Sequence, residues 1–148
     1  MSELYRLRRA TQADSQTIRE LIHRAQINPM GLDWQRFIVA VTPRNEIVGC
    51  GQVKSHGDGS RELASIAVEP EWRRQGIASA IIHHLLDEHP GTLYLTCRLK
   101  LKPFYEPFGF CVIHREAMPP YYRRLSRIMD IVRKLHITDE GMQVMKRG

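Results

Sequence analysis

Residues 73–78, Arg-Arg-Gln-Gly-Ile-Ala, combine the side chains and the chain position that an anion-binding turn requires. They follow an apolar, β-branched run that stops at Pro70, and a helix-forming segment, 78–86, comes directly after them. The first amides of a helix have no acceptor within it, and the helix dipole adds partial positive charge there. Gly76 allows close approach of the main chain, and Ala78 and Ser79 leave the first turn uncluttered. We predict a phosphate-binding turn here, with an ordinary strand–loop–helix connection as the alternative.

A second concentration of positive charge lies between Arg115 and His136, in a chain whose net charge is +6. The basic residues of this segment are Arg115, Arg123, Arg124, Arg127, Arg133 and Lys134, and its acids are Glu116 and Asp130. Such a bias occurs in segments that bind nucleic acid or another anionic partner, and also in solvated helix faces. We favour the solvated face and keep nucleic-acid binding as the alternative.

Histidine and cysteine spacing does not indicate a metal site. His83 and His84 are adjacent, so on a helix their side chains point about 100° apart and cannot share the i, i+4 face that binds a metal. The cysteines Cys50, Cys97 and Cys111 are odd in number and scattered, which predicts reduced, partly buried thiols. We therefore expect surface histidines and no bound metal.

Length and composition are typical of one globular domain spanning residues 1–148. The chain is 43% hydrophobic and 26% charged, and 148 residues are enough to bury a core. No apolar run approaches the roughly 18 residues of a membrane span, so we expect no membrane contact. The N-terminal residues lack the basic-then-apolar pattern of a signal peptide, and we expect a cytoplasmic protein.

Hydrophobic periodicity predicts the elements that must hold these residues. Strands are predicted over 4–9, 37–41, 47–54, 61–68, 92–97, 110–114 and 142–146. Helices are predicted after Thr11, over 32–35, 78–86 and 99–108, and from Pro119 onward. The expected buried helix faces are Ile18, Leu21, Ile22 and Ala25, then Ala80, Ile81, His84 and Leu85, then Leu125, Ile128, Met129, Val132 and Leu135. This order predicts a mixed α/β (α+β) fold, in which helices flank a largely antiparallel central sheet.

Two motifs stand on this pattern of elements. The turn at 73–78 fits Arg/Gln-x-x-Gly-x-Gly/Ala, and Tyr105, Gly109 and Phe110 fit Tyr-x-x-x-Gly-Phe. About thirty residues, with one predicted helix and one predicted strand, separate the motifs. In these motifs, their interval and the element order, residues 4–114 resemble the GNAT superfamily of acetyl-CoA-dependent N-acetyltransferases. The resemblance implies the GNAT fold, with residues 115–148 as a basic helical extension and a last strand.

The resemblance also implies a binding site for coenzyme A. The turn that would hold the pyrophosphate consists of Arg73, Arg74, Gln75, Gly76, Ile77, Ala78 and Ser79. The backbone of Ile66, Ala67 and Val68 would pair with the pantetheine arm like an added strand. Relatives often have an asparagine and an alanine where this chain has Arg98 and Leu101, so Arg98 lies either against the coenzyme or substrate, or in solvent.

Acyl transfer from a thioester to an amine requires a neutral amine, donors for the oxyanion and a proton for the leaving thiolate. By resemblance, Tyr105 is the acid that protonates the coenzyme sulfur. The alternative is a core tyrosine packed with Phe104 and Phe108. A backbone N–H near Val68 is the expected oxyanion donor.

Glu62 is the leading candidate for the base, because some histone-type members of the family place a glutamate at this position before the glycine turn. The alternative is a glutamate at the strand end that pairs with Arg61 or Lys54. His56, in the preceding turn, is a weaker candidate because nothing in the sequence anchors it. Glu69 is expected to face the arginines of the 73–78 turn.

These residues predict an N-acetyltransferase that moves the acetyl group of acetyl-CoA to a primary amine of a small molecule or protein by direct attack. The alternative is a coenzyme-A-binding sensor with little or no transferase activity. The acceptor amine is left open, although residues 26–35 and the turn after Lys54 are expected to form its pocket. The helix from Pro119 is expected to dock on the sheet or on a partner subunit, so a homodimer is also left open.

Overall fold

The computed structural model describes residues 4–135 and 141–148. The strands are β1 (Arg6–Arg9), β2 (Phe37–Val41), β3 (Ile47–Ser55), β4 (Arg61–Val68), β5 (Leu93–Arg98), β6 (Cys111–Val112) and β7 (Met142–Arg147). The α-helices are α1 (Ser15–Arg24), α2 (Ile77–Glu88), α3 (Lys102–Tyr105) and α4 (Pro120–Lys134). His136, which bounds the basic segment, lies outside the described residues.

The strands follow the order β1-β2-β3-β4-β5-β7-β6. The pairs β1–β2, β2–β3, β5–β7 and β6–β7 are antiparallel, and β4 pairs with β5 in parallel where Glu62 lies opposite Tyr94. The mixed, largely antiparallel sheet predicted from the sequence is therefore confirmed. The described residues divide into two compact units.

Unit 1 comprises Met1–Lys54 and Leu63–Pro90, as far as these residues are described. Its core joins α1 to β2, because one face of the helix is apolar at helical spacing and every residue of β2 is buried. The predicted face of α1 is confirmed, with Ile18, Leu21 and Ile22 buried and Ala25 packed against them. The buried residues of α2 are Ile77, Ile81, Ile82, Leu85 and Leu86. The prediction was wrong for Ala80 and His84, which stay partly exposed, because the buried face is rotated toward Ile82 and Leu86.

Two glycines of β3 allow α2 to approach the sheet closely. A Cβ atom added at Gly51 would lie 2.6 Å from Ile66 Cδ1 and 2.7 Å from Ile81 Cγ2. One added at Gly49 would lie 2.8 Å from Ile77 Cγ2. Because such distances are shorter than van der Waals contact, glycine at these positions determines how deep the N-terminal half of α2 sits.

Unit 2 comprises Ser55–Glu62 and Gly91–Gly148, again without the residues that are not described. Its core cluster is Met118, Tyr122 and Val144, with Tyr94, Ile113, Tyr121, Leu125 and Met129 packed against it. The apolar face of α4 is thus covered along its first half. The prediction was wrong for Ile128 and Leu135, which are 56% and 65% exposed.

Prolines and turns shorten several predicted elements. The predicted helix over 99–108 consists of α3 between two 3₁₀ turns, because Pro103 and Pro107 lack the amide that a continuous helix needs. The predicted helix over 32–35 is a 3₁₀ turn, Trp34–Arg36, and the predicted strand over 110–114 is reduced to β6. Among the described residues, no helix has the length and hydrophobicity that a membrane crossing requires.

Candidate functional site

The turn before α2 has the backbone geometry of an anion site, and it lies within unit 1. Arg74 and Gly76 both adopt left-handed conformations, with φ of 65° and 79°. The Ala80 amide donates to the Gly76 carbonyl at 2.9 Å, which is the first regular hydrogen bond of the helix. The amides of residues 77–79 come before it. Residues 73–76 are exposed, whereas the Ile77 side chain is buried, so Ile77 offers only its main chain to a ligand.

Two charged side chains at this turn make contacts within unit 1, and one of them differs from expectation. Arg73 folds back onto the end of β4, where its Nε donates to the Val68 carbonyl at 3.2 Å. Glu69 pairs with Arg24 of α1 and not with the arginines of the turn, because α1 brings a closer guanidinium to this carboxylate. Arg74, the other arginine of the turn, is exposed.

Strand β4 is distorted immediately before Ile66, Ala67 and Val68. Ser65 has a φ of 61°, and its hydroxyl accepts a 2.8 Å hydrogen bond from Nε2 of the fully buried Gln52. The Cys50 thiol donates to the Ser65 carbonyl at 3.5 Å, and burial raises the pKa of Cys50 to about 12. A left-handed residue within a strand turns the backbone that follows it. Sequence reasoning missed this feature, since Gln52 and Ser65 carry no pattern of their own.

Tyr105 lies in unit 2 at the end of α3, among aromatic rings. Its ring centroid is 4.9 Å from that of Phe104 and 6.2 Å from that of Phe110. Phe108, the other predicted neighbour, contacts Phe104 instead. Burial, and to a lesser extent the nearby Cys97, raises the pKa of the Tyr105 phenol, which therefore keeps its proton at neutral pH. Tyr105 therefore packs as a core tyrosine does and also keeps the proton that an acid needs.

Glu62 lies in unit 2, is buried, and pairs with a histidine. Its Oε1 is 2.7 Å from His56 Nε2. The two partners suggested by the sequence are occupied elsewhere: Arg61 Nη2 donates to the Thr92 carbonyl at 3.4 Å, and Lys54 Nζ donates to the Met30 carbonyl at 3.5 Å. The expectation that nothing anchors His56 was wrong, because the tight turn after β3 folds it back onto β4.

Aromatic residues of α4 cover the His56–Glu62 pair. The Tyr121 ring stacks on the His56 ring, with centroids 3.6 Å apart and planes at 13°, and Tyr122 contacts His56 edge-on at 5.7 Å. The Tyr121 amide donates to Asp58 Oδ2 at 3.0 Å. Hydrogen bonds from Ser60 and from this amide hold the pKa of Asp58 down to about 2. Sequence reasoning missed this arrangement, for which the only signal was an unexplained Tyr-Tyr pair at the start of a helix.

The Tyr122 hydroxyl is buried beside this pair. Burial and the neighbouring Glu62 charge raise the pKa of Tyr122, so its hydroxyl is neutral at physiological pH. Within the part of the chain that the structure describes, it has no well-aligned hydrogen-bond partner. The pair is therefore flanked by neutral tyrosines and by the charged Asp58.

The predicted site residues thus fall into three local groups. Within unit 1, the turn at 73–79 follows Ile66, Ala67 and Val68 along the chain. Within unit 2, Glu62 contacts His56, whereas Tyr105 contacts Phe104 and Phe110. Arg98 ends β5, where its backbone lies opposite Met142 and its carbonyl accepts a 3.3 Å hydrogen bond from Gln143.

The described residues also include a groove and free thiols. A groove of about 390 Å³ in unit 2 is lined by side chains of α4 and β7, and none of the predicted site residues is among them. Over residues 4–135 and 141–148, no three His, Cys, Asp or Glu side chains cluster as metal ligands would. Cys50, Cys97 and Cys111 are free thiols, and Cys111 is exposed.

Several solved structures with a similar fold are named as enzymes that transfer or form an N-acetyl group. The N-acetylglutamate synthase of Neisseria gonorrhoeae, in complex with coenzyme A and N-acetyl-glutamate, is 16% identical with a TM-score of 0.74. It matches 97% of this chain, which spans only 34% of the length of that enzyme. The protein Rv2747 of Mycobacterium tuberculosis, in complex with CoA and NLQ, is 22% identical over 96% of this chain and 98% of its own, with a TM-score of 0.72.

A third structure, the ribosomal-protein-S18-alanine N-acetyltransferase of Escherichia coli, is 19% identical over 97% of this chain and 93% of its own, with a TM-score of 0.65. At these identities the likeness establishes the fold alone. A comparison with curated protein sequences found no match. The sequence model of the acetyltransferase (GNAT) domain matches residues 33–112, more than half of the chain, from β2 to the end of β6. The chain therefore belongs to the GNAT family of acetyltransferases, as its two motifs predicted.

Proposed function

We propose that this protein transfers the acetyl group of acetyl-CoA to a primary amine of a small molecule or protein by direct attack. The observation that carries the proposal is the turn before α2, where two left-handed residues precede the first helical amides within the matched family domain. Among the similar structures, the Neisseria enzyme and Rv2747 are complexes with coenzyme A.

In this proposal, the amides of residues 74–79 bind the pyrophosphate of acetyl-CoA, with Arg73 and Arg74 beside them. The dipole of a twelve-residue helix and the exposed backbone at Gly76 support this assignment. The backbone at Ile66, Ala67 and Val68 pairs with the pantetheine arm, and an N–H near Val68 stabilises the oxyanion. Arg98 contacts the coenzyme or the acceptor.

Tyr105 protonates the leaving thiolate, and Glu62 belongs to the group that removes a proton from the amine. The raised pKa of Tyr105 supports the first role, because an acid must hold its proton until the carbon–sulfur bond breaks. The buried pairing of Glu62 with a titratable partner supports the second. Tyr105 is thus assigned to the leaving thiolate, and Glu62 to the attacking amine.

We infer further that residues 1–148 act as one catalytic domain, with residues 115–148 as an extension of the core. The cytoplasmic location and the homodimer stay predictions from the sequence. The acceptor is defined here only as a primary amine, since residues 26–35 carry no recognisable specificity pattern.

Thiol release from acetyl-CoA, measured with a panel of amines, tests the proposal. The panel contains free amino acids, polyamines and short peptides with free N-termini, and each amine is compared with its N-acetylated form as a matched control. We expect at least one free amine to accelerate thiol release while its acetylated form does not. Coenzyme binding without acceleration by any amine would favour the sensor and refute the enzyme.

A further inference from the structure

A histidine–carboxylate pair lies where β3 and β4 are joined. His56 Nε2 and Glu62 Oε1 are 2.7 Å apart, and the two side chains are only 11% and 9% exposed. Because a carboxylate accepts hydrogen bonds and does not donate them, the neutral imidazole carries its proton on Nε2 and a lone pair on Nδ1. Within residues 4–135 and 141–148, no hydrogen bond engages Nδ1.

Helix α4 holds the ring in place from its other sides. Tyr121 stacks on the face of the imidazole, and its amide is held by Asp58, which belongs to the same turn as His56. The stacked ring fixes the plane of the imidazole. Tyr121 and Tyr122 lie beyond the residues that match the family model, so this support comes from the extension of the chain.

We infer that His56 takes the proton of the acceptor amine on Nδ1, directly or through one water, and that Glu62 is a positioning residue that holds the ring and its tautomer. The inference rests on the proposed function and moves the proton-accepting atom from Glu62 to His56. An imidazole is ordinarily a stronger base than a carboxylate by about two pKa units, which is why we assign the proton to the ring. The carboxylate then balances the imidazolium.

The charged and titratable groups around the ring agree with this role. Glu62 approaches from β4, Asp58 from the turn, and Tyr121 and Tyr122 from α4, with Tyr94 of β5 behind Tyr122. Hydrogen bonds from Ser60 and the Tyr121 amide lower the pKa of Asp58, so this carboxylate is anionic at neutral pH. Burial raises the pKa of Tyr121 and Tyr122 and keeps them neutral. The ring therefore faces its Glu62 partner, one further carboxylate and two neutral phenols.

The reaction conserves protons and electron pairs. One proton passes from the ammonium form of the acceptor to His56 Nδ1, which leaves the nitrogen lone pair free. That pair forms the carbon–nitrogen bond, and the carbon–sulfur bond breaks with its electrons on sulfur. Tyr105 protonates the thiolate and regains a proton from the acylated nitrogen, and the imidazolium releases its proton to water. The products are the amide, the coenzyme A thiol and one proton.

The pH dependence of kcat, with both substrates saturating, tests the inference. We expect His56→Gln to lower kcat about 100- to 10,000-fold and to abolish its rise with pH below neutrality. Glu62→Gln should lower kcat less and move the rise toward lower pH by about one unit or more, because the imidazolium loses its counter-charge. His114→Gln, which alters a histidine of the same unit away from the pair, is the control and should retain the wild-type profile.

The opposite pattern overturns the inference. If His56→Gln keeps the rise of kcat with pH while Glu62→Gln loses it, Glu62 itself takes the proton. An unchanged kcat in His56→Gln would also exclude His56. Coenzyme A affinity, measured by calorimetry for each variant, separates these outcomes from failure to fold.

A second measurement does not depend on turnover. The nitrogen chemical shifts of the His56 ring in the full chain should report a proton on Nε2, and this preference should weaken in Glu62→Gln. Ring shifts that are the same in both proteins would refute the pairing. Absence of turnover with every amine would instead refute the proposed function, so the two failures are distinguishable.

Discussion

The two proton transfers of the proposed reaction require groups of different proton affinity. Tyr105 is surrounded by Phe104 and Phe110, and desolvation favours its neutral form. His56 lies beside the Glu62 carboxylate and the Tyr121 ring, with Asp58 in the same turn. The proposed reaction uses the first residue as the proton donor and the second as the proton acceptor.

Tyr105→Phe tests the acid. We expect kcat to fall about 10- to 1000-fold because the thiolate must leave without a proton. The affinity for coenzyme A should change little, since the ring packing is retained. Tyr5→Phe, which alters a tyrosine outside the site, serves as the control in the same thiol-release assay. A kcat equal to that of the wild type would remove Tyr105 from the mechanism.

Asp14 links β1 to α1 and predicts a pH effect on stability. It accepts hydrogen bonds from Arg8 Nη1 and from the Thr11 amide, both at 2.7 Å, and the bond from Arg8 is the main reason that its pKa is lowered. A lowered pKa in the folded state means that the stabilisation is present above about pH 4, the unfolded value, and disappears as the pH falls through the folded value.

Asp14→Asn should lower the free energy of unfolding by about 1 kcal/mol at pH 7, or Tm by about 2–4 °C, with allowance for the partial exposure of Arg8. Thermal unfolding at pH 7 and pH 3 measures the difference. We expect the gap between wild type and variant to narrow at pH 3. A gap of equal size at both pH values would show that the carboxylate charge is not responsible.

At the scale of elements, α2 presents its N-terminus where it does because β3 has glycine at the contact. Gly49 and Gly51 leave room for Ile77, Ile81 and Ile66. The left-handed Gly76 lies directly before the first residue of this helix. The position of the proposed anion site therefore depends on the packing of a strand that is distant from the turn in sequence.

Gly51→Ala tests this packing. We expect the free energy of unfolding to fall by about 1–3 kcal/mol, because the new methyl group meets Ile81 in a close-packed core. Gly57→Ala is the matched control, since a Cβ atom there meets nothing within 4 Å, and it should stay within about 0.5 kcal/mol of the wild type. Urea unfolding compares the three proteins. Equal stability of both variants would show that α2 does not need the space.

The extension after the matched domain contributes to unit 2 rather than standing apart from it. Tyr122 is fully buried and Tyr121 covers His56, so the first turns of α4 complete the surroundings of the His56–Glu62 pair. The basic residues of the segment are partly engaged internally: Arg115 pairs with Asp130, and Arg123 Nη2 donates to the Met118 carbonyl at 3.0 Å. These contacts favour the solvated helix face over a nucleic-acid surface.

At the scale of the whole molecule, the net charge of +6 favours association with a polyanion such as coenzyme A. A ligand that binds only the folded state, at 100 times its Kd, stabilises that state by about 2.7 kcal/mol. For a chain of this size, we expect coenzyme A to raise Tm by about 5–10 °C. Added salt should reduce the effect at a fixed ligand concentration.

Thermal unfolding with and without coenzyme A measures this shift. Arg74→Gln should require a higher coenzyme concentration to reach the same Tm, because the turn loses a charge beside the proposed pyrophosphate. Arg44→Gln, which removes an equal charge from the turn between β2 and β3, is the control for net charge. If the two variants respond alike, the turn before α2 has no special part in binding.

Much of the fold is encoded in short stretches of sequence. The bounds of β2 and β4 agree with the predicted strands, because continuous runs of β-branched residues between turn residues strongly favour strands. The motifs at 73–78 and 105–110 predicted the family for the same reason, since each lies within a single turn or short helix. Prediction was poorer where prolines interrupt the chain, as between Leu99 and Phe108, because the missing amides there outweigh helical periodicity.

The sequence by itself therefore determined most of the elements, the family and the candidate anion site, all of which depend on neighbouring residues. Only the tertiary structure decided the partner of Glu62 and the support of His56. Tyr121 and Asp58 are 63 positions apart, and their contact follows from the way α4 folds back onto the turn after β3. Side chains that meet in this way leave no periodic pattern, because each is chosen by packing and charge around the other rather than by its neighbours along the chain.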